Sequence, residues 1–222
     1  MQDIRFCDAR LQVCGEEKLY DTNEAGLYNS CSIINHSCVP NAVWGWVMGD
    51  FKKKQVRAMK TIEKNQEILV TYVEEVDFVF GSREVRRQKL LEKGGFLCSC
   101  SECSLEGKAL EENERMRAEI REKSAEIREL LSCQGSPSRR STERLMRLSL
   151  EKLDLVEKLN IRLMFVPEMV NVYVAASRAK KMGITAPDPN IFRQKALDYA
   201  KKCGECSLNY CNMQLADYEK GK

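Results

Sequence analysis

Residues 33–41 read "IINHSCVPN" and contain the chain's single histidine, His36. Asparagines bracket it at 35 and 41, and Cys38 and Pro40 follow close behind. Pro40 fixes its own φ and restrains Val39 before it, so the backbone is stiff where Cys38 sits. Alone, Asn35 and Asn41 are ordinary turn-formers, and a lone His36 is an ordinary hydrogen-bonded turn or core residue. The stiffly held thiol links this stretch to a second one. "CSCSEC" (98–103) sets Cys98, Cys100 and Cys103 in a C-x-C-x2-C run. Three thiolates so close can hold three corners of a tetrahedral zinc, and a structural site needs a fourth ligand. No histidine lies near the run, and Cys38 is the best candidate. The rival reading, a chance clustering of core cysteines, fits poorly with C-x-C alternation.

The surrounding chain has 222 residues, room for one large or two modest domains. Its 43% hydrophobic and 31% charged content is that of a globular protein. A net charge of +3 gives no electrostatic case for nucleic acid, and "SREVRRQK" (82–89) reads as a solvated helix face. No apolar stretch approaches the ~18 residues of a membrane span, and "MQDIRFCDARLQV" has no apolar signal core. The expected setting is cytoplasmic, nuclear or both, with no membrane contact and no direct contact with nucleic acid. Thiols stay reduced there, so clustered cysteines among the eleven point to metal rather than disulfides. The isolated Cys7, Cys14, Cys31 and Cys133 read as buried apolar fillers. Cys203, Cys206 and Cys211 fall on one helical face, which a buried stripe explains better than a second metal.

The first half of the sequence predicts short strands. "AVWGWVM" (42–48), a "GD" turn, "KQVRAM" and "IEKNQEILVTYV" (62–73) suggest a small antiparallel meander. Ser82 is a candidate N-cap for a helix that Gly94-Gly95 stops. Residues 109–131 predict a charged helix with Met116, Ile120, Ile127 and Leu130/Leu131 on its apolar stripe, and Glu111/Arg115 and Glu119/Lys123 as i,i+4 pairs. Three further helices are expected at about 142–160, 167–182 and 191–215, with Pro167 in a first turn and Gly183 as a C-cap. Ala175, Ala176, Ala179, Ala196 and Ala200 allow close helix approach, in the manner of a helix-pair (TPR-like) repeat. The domain boundary is placed near 104–110: residues 1–104, then 105–222.

"NHSCVPN" (35–41), "EILVTY" (67–72) and "GFLCSCSEC" (95–103), in this order and spacing, resemble the C-terminal half of a SET domain with its post-SET zinc segment. The cysteine pattern and helical tail are most similar to the SET–MYND family of protein-lysine methyltransferases. The motif resemblance covers roughly residues 24–103. It implies an α+β fold: a small β meander of an incomplete SET domain with a post-SET zinc site, then an all-α domain. It implies S-adenosylmethionine as cofactor, structural zinc, and a protein substrate bearing a lysine. By the same resemblance, Asn35 reaches the methionine end of the cofactor and His36 gives backbone contacts near the adenine. Ser32 matches another cofactor contact, and Phe96 matches the aromatic that stacks on the adenine. Tyr72 matches the tyrosine whose hydroxyl points at the transferred methyl; read alone it is a half-buried strand tyrosine. Cys38, Cys98, Cys100 and Cys103 match the zinc ligands.

The C-terminal helices are expected to wall the substrate groove or to dock a protein partner. The sequence departs from the family in three places. The 34 residues before Asn35 hold only Gly15 and Gly26 and no Gly-x-Gly turn; the MYND finger is missing; and Gly94 stands where many relatives carry a channel-lining tyrosine. The chain is therefore expected to start inside the domain, and the alternative function is an inactive zinc-stapled protein-interaction module.

Overall fold

The computed structural model describes residues 28, 30–47, 50–132 and 137–219. Cys7, Cys14, Gly15, Gly26, Gly49 and Cys133, and the side chain of Cys206, lie outside that description.

Strand β1 (Asn35–His36) pairs with β4 (Leu69–Val70), and the pairing is parallel, Asn35 facing Leu69 and His36 facing Val70. Between them, β2 (Ala42–Val47) and β3 (Asp50–Ala58) form an antiparallel hairpin with a register irregularity at Trp46/Val47. The expected antiparallel meander therefore holds only for the hairpin. The hairpin and loop 59–68 together make a crossover long enough to bring β4 back in the direction of β1. Asn41 stitches that crossing. Its backbone N–H donates to Leu69 O (3.2 Å), its Nδ2 donates to Glu67 O (2.8 Å), and its Oδ1 accepts from Leu69 N–H (2.8 Å). The stretch 62–73 contributes a strand of only two residues, Leu69–Val70. Beyond Val70 the Thr71 hydroxyl donates to Val73 O (2.7 Å), a side-chain turn that competes with the ladder.

Seven helices follow among the described residues. Helix α1 (Val76–Val79) is a single turn that the sequence pattern does not predict. Helix α2 (Arg83–Gly94) has the expected ends: Ser82 Oγ accepts from Val85 N–H, and Gly95 closes it at φ +70°. Helix α3 spans Gly107–Ser132 and α4 Arg139–Lys158; a 3-10 turn (Arg162–Met164) leads into α5 (Phe165–Lys181). Gly183 terminates α5 at φ +63°, with Ile184 N–H donating to Ala179 O (2.9 Å). The helix expected at 191–215 is two, α6 (Pro189–Cys203) and α7 (Glu205–Glu219). Gly204 separates them at φ +109°, and a Cβ there would meet the Arg57 side chain at 2.9 Å. Of the two expected charge pairs on α3, Glu119–Lys123 forms (3.3 Å), whereas Arg115 pairs with Glu112 and Glu119 instead of Glu111.

Two apolar clusters organise the molecule. One lies among α3–α7, with Ala175, Ala176, Ala196 and Ala200 fully buried where α5 meets α6. Cys211 belongs to it, but the break at Gly204 leaves half-buried Cys203 at the end of α6 and Cys206 and Cys211 on α7, so the three do not share one helical face. The second joins Cys38, Val73, Phe78, Phe80, Leu90, Cys98 and Cys103 to Ile120, Val156 and Ile161. It packs the β region and its cysteines against α3 and α4, with side chains from both sides of residue 104.

Candidate functional site

The parallel β1–β4 pair carries Asn35 and His36 past the residues that lead to Tyr72, and the turn after β1 delivers Cys38 to the cysteine run. The sulfurs of Cys38, Cys98, Cys100 and Cys103 all lie within 4.8 Å of one another, with Cys38–Cys103 at 3.6 Å and Cys38–Cys98 at 4.0 Å. Zinc–sulfur bonds of ~2.3 Å at tetrahedral angles put sulfurs ~3.8 Å apart, so the four residues fit that ion. Crowded together, they cannot all ionise without a cation. Hydrogen bonds from Cys103, Cys38 and Cys98 pull the Cys100 pKa far down, and contact with Cys100 pushes that of Cys38 far up. The cluster expected from spacing is thus assembled, and it is compatible with zinc binding.

His36 stands between this cluster and Tyr72. Its Nδ1 accepts from Tyr72 N–H (3.1 Å), which leaves the proton on Nε2, 3.4 Å from Cys38 Sγ. Burial holds its pKa down at about 4; the charge of Cys100 works against that shift and Arg86 adds to it. The Tyr72 hydroxyl donates to Ile34 O (2.7 Å), and burial, then the charge of Glu67, raises its pKa. Phe96 meets the Tyr72 ring edge-on at 6.0 Å and the His36 ring at 6.1 Å. His36, Tyr72 and Phe96 therefore share one aromatic group, with Phe78 against its inner side. Asn35 is exposed and its Nδ2 donates to Glu67 Oε1 (2.6 Å). Ser32 lies on the exposed turn before β1. Leu97 and Ile33, beside these residues, are among the most exposed large apolar side chains described. A Cβ at Gly94 would meet the Phe96 ring at 2.8 Å, so that ring fills space that a side chain at 94 would claim. A separate small polar cleft, lined by Ser37, Asn41, Lys60, Gln66, Glu102 and Asn160, shares none of the expected cofactor residues.

The sequence reading misses the basic residues around the cysteines. "SREVRRQK" is not a solvated face. Arg86 is 1% exposed, and Arg87 donates from Nε to Cys98 O and from Nη2 to Cys103 O, both at 3.0 Å. Arg83 Nη1 donates to Leu105 O (3.0 Å). On α3, Arg117 is fully buried; it donates to Val79 O and to Asn113 Oδ1 (2.9 Å), and pairs with Glu102 Oε2 (3.0 Å). The available signal was arginine at 83, 86 and 87, whose i,i+3 and i,i+4 spacing puts three guanidinium groups on one side of the helix that precedes the cysteine run.

Comparison with known proteins agrees with this assembly. The SET domain family matches residues 5–73, reaching further upstream than the quoted motifs. The chain is 38% identical over 103 residues to the histone-lysine N-methyltransferase ASHR1 of Arabidopsis thaliana, covering 46% of this chain and 18% of that protein. It is 31% identical over 128 residues to the histone-lysine N-methyltransferase SMYD3 of Mus musculus, covering 56% and 26% respectively. To the N-lysine methyltransferase SMYD2 of Gallus gallus it is 29% identical over 84 residues, covering 38% and 18%. The chain spans only these fractions, at most 26%, of the curated relatives named here. Family match, relatives and the cysteine–histidine–tyrosine corner point the same way: residues 5–73 carry the SET-domain match, and the chain is similar to SET–MYND lysine methyltransferases.

Proposed function

We propose that this chain takes part in transferring a methyl group from S-adenosylmethionine to a lysine amine of a protein, with Cys38, Cys98, Cys100 and Cys103 holding a structural zinc. The observation that carries this reading is His36, whose two ring nitrogens bridge the Tyr72 backbone and the Cys38 sulfur. A metal at the cysteines thereby steadies the segment that carries Tyr72. Bound there, S-adenosylmethionine would supply a sulfonium-activated methyl group.

The residues' own work is positioning. Tyr72 gives its proton to Ile34 O, so its oxygen remains an acceptor that orients a methyl group and an incoming amine. Its raised pKa keeps the phenol neutral at physiological pH. Ser32, Asn35 and the His36 backbone would hold the cofactor, Phe96 would meet its adenine, and exposed Ile33 and Leu97 would exclude water when covered. Four thiolates leave no open metal position, so the zinc is a staple and not a catalyst. The substrate is a lysine-bearing protein; the TPR-like helical part, from about residue 105, walls its groove or docks a partner, in the nucleus or cytosol. No described helix is long and apolar enough to cross a membrane.

Calorimetric titration of S-adenosylmethionine into the zinc-loaded chain tests the cofactor site. Saturable binding weakened by Asn35→Ala is expected, and a folded, zinc-loaded chain that does not bind sinks the reading. In a radiolabelled methyl-transfer assay on a protein substrate, Tyr72→Phe is expected to lose transfer with its fold intact. Full activity in that variant would remove the role given to Tyr72.

A further inference from the structure

Two arginines are buried beside the cysteine corner, and they are accommodated differently. Arg117 is cancelled by the Glu102 carboxylate and satisfied by Asn113 and a carbonyl. Arg86, 1% exposed, has one protein acceptor, Gly81 O, through Nη1. Its Nε and Nη2 are buried with no hydrogen-bond partner, and among the described residues no carboxylate pairs with it. A guanidinium never gives up its proton inside a protein, so it cannot escape burial by neutralising. A buried charge without an opposite charge is strongly unfavourable. Burial works to lower its pKa, and the charges of Cys38 and Cys103 work to raise it, while its neighbour Arg87 binds the carbonyls of Cys98 and Cys103.

Four thiolates around a divalent cation carry a net double negative charge in a site shut off from water. Such a centre requires a cation nearby just as Arg86 requires an anion. We propose that Arg86 is the counter-charge of the four-cysteine metal centre, a positioning residue whose buried guanidinium offsets the negative charge of the occupied site and so sets its affinity for a divalent ion. This rests on the reading of the four cysteines as metal ligands. Arg87 and His36 complete the surround: Arg87 pins the backbone carbonyls of Cys98 and Cys103, and His36 donates toward Cys38 Sγ. Arg117 adds no net charge there, because Glu102 cancels it.

The test is zinc affinity of the full chain, measured by competition with a chromogenic chelator, in wild type, Arg86→Met and Arg86→Lys. Methionine keeps the stem and removes the charge; lysine keeps the charge and loses the fork. Wild type is expected to bind one zinc. Arg86→Met is expected to bind about 10–100-fold more weakly, the usual effect of removing a group that supports a metal ligand. Arg86→Lys is expected to recover most of that loss. A methionine variant that binds zinc like wild type overturns the proposal while leaving the metal reading intact. Equal loss in both variants, through failure to fold or otherwise, also overturns it, because charge is then not what counts. A folded wild-type chain that binds no zinc overturns the metal reading, and this proposal with it.

Discussion

The cysteine corner and the helical bundle both bury charge, and they settle it in opposite ways. In the bundle, Lys152 Nζ on α4 meets Glu168 Oε1 on α5 at 2.7 Å, and Asn171 Nδ2 donates to the other carboxylate oxygen (3.1 Å). The pair is closed within itself and surrounded by helices whose alanines allow close approach. Among the described residues the corner holds two two-stranded pairs and a short helix, and on the metal reading its sulfurs and Arg86 would be matched through a bound ion. One region closes its charges within the chain. On the metal reading, the other closes them only with its ion bound.

The hardest test of that contrast is to remove the metal, by chelation or by Cys103→Ser. Structural zinc supplies roughly 10–16 kcal/mol in small zinc-binding peptides, more than a corner of this size can replace. Hydrogen exchange should show protection collapsing at residues 35–41, 69–73 and 98–104 while α4–α7 stay protected. Simultaneous collapse of both regions would break the comparison.

A smaller effect comes from the bundle side. Glu168→Gln leaves the Lys152 ammonium buried without its partner, which costs about 3–5 kcal/mol. Denaturant unfolding should register that loss while zinc affinity stays at the wild-type value. A matching fall in zinc affinity would show that the two regions settle their charges together.

The smallest effect sits on the rim of the corner, where Glu75 pairs with Lys89 (2.6 Å) and with Lys93 across α1 and α2. Hydrogen bonds from Lys89 and then Lys93 bring the Glu75 pKa down to about 2 from an ordinary 4.5. A depressed carboxylate pKa stabilises the fold above the unfolded-state value, so the contribution is full above pH 4.5 and fades as pH falls toward 2. The group is half exposed, which limits the gain to at most ~1 kcal/mol. Glu75→Gln should lower the denaturation midpoint slightly at pH 7 and by less as the pH falls; a constant deficit at every pH would assign the effect to packing.

What could be read in advance follows from how local each signal is. Ser82, Gly95 and Gly183 announce helix ends because capping involves only the adjacent turn, and the alanines of α5 and α6 announce close packing because nothing larger fits. The four cysteines were legible through their chemistry, which tolerates few other uses. The direction of β4 was not, since parallel and antiparallel pairing ask for the same residues and differ only in the path between them. The break at Gly204 was hidden because the apolar spacing continues across it. The buried arginines were hidden for a deeper reason. A charged helix face reads as solvated unless the anion it faces is known, and here that anion is assembled from segments on both sides of it. The aromatic group of His36, Tyr72 and Phe96 came from resemblance, and no periodicity contains it.

The pairing of Cys38 with Cys103 spans 65 residues of chain. A ribosome adding about 5–20 residues per second leaves an interval of ~3–13 s between the emergence of the two. Through that interval Cys38 is without the three thiols it meets in the fold, and β1 lacks its partner, Leu69–Val70, for the first part of the wait. On the metal reading, zinc capture by these four cysteines is therefore timed by translation. A stall before residue 98 prolongs the exposure of Cys38 to oxidants, and completion of the 98–103 run is the moment at which the exposure can end.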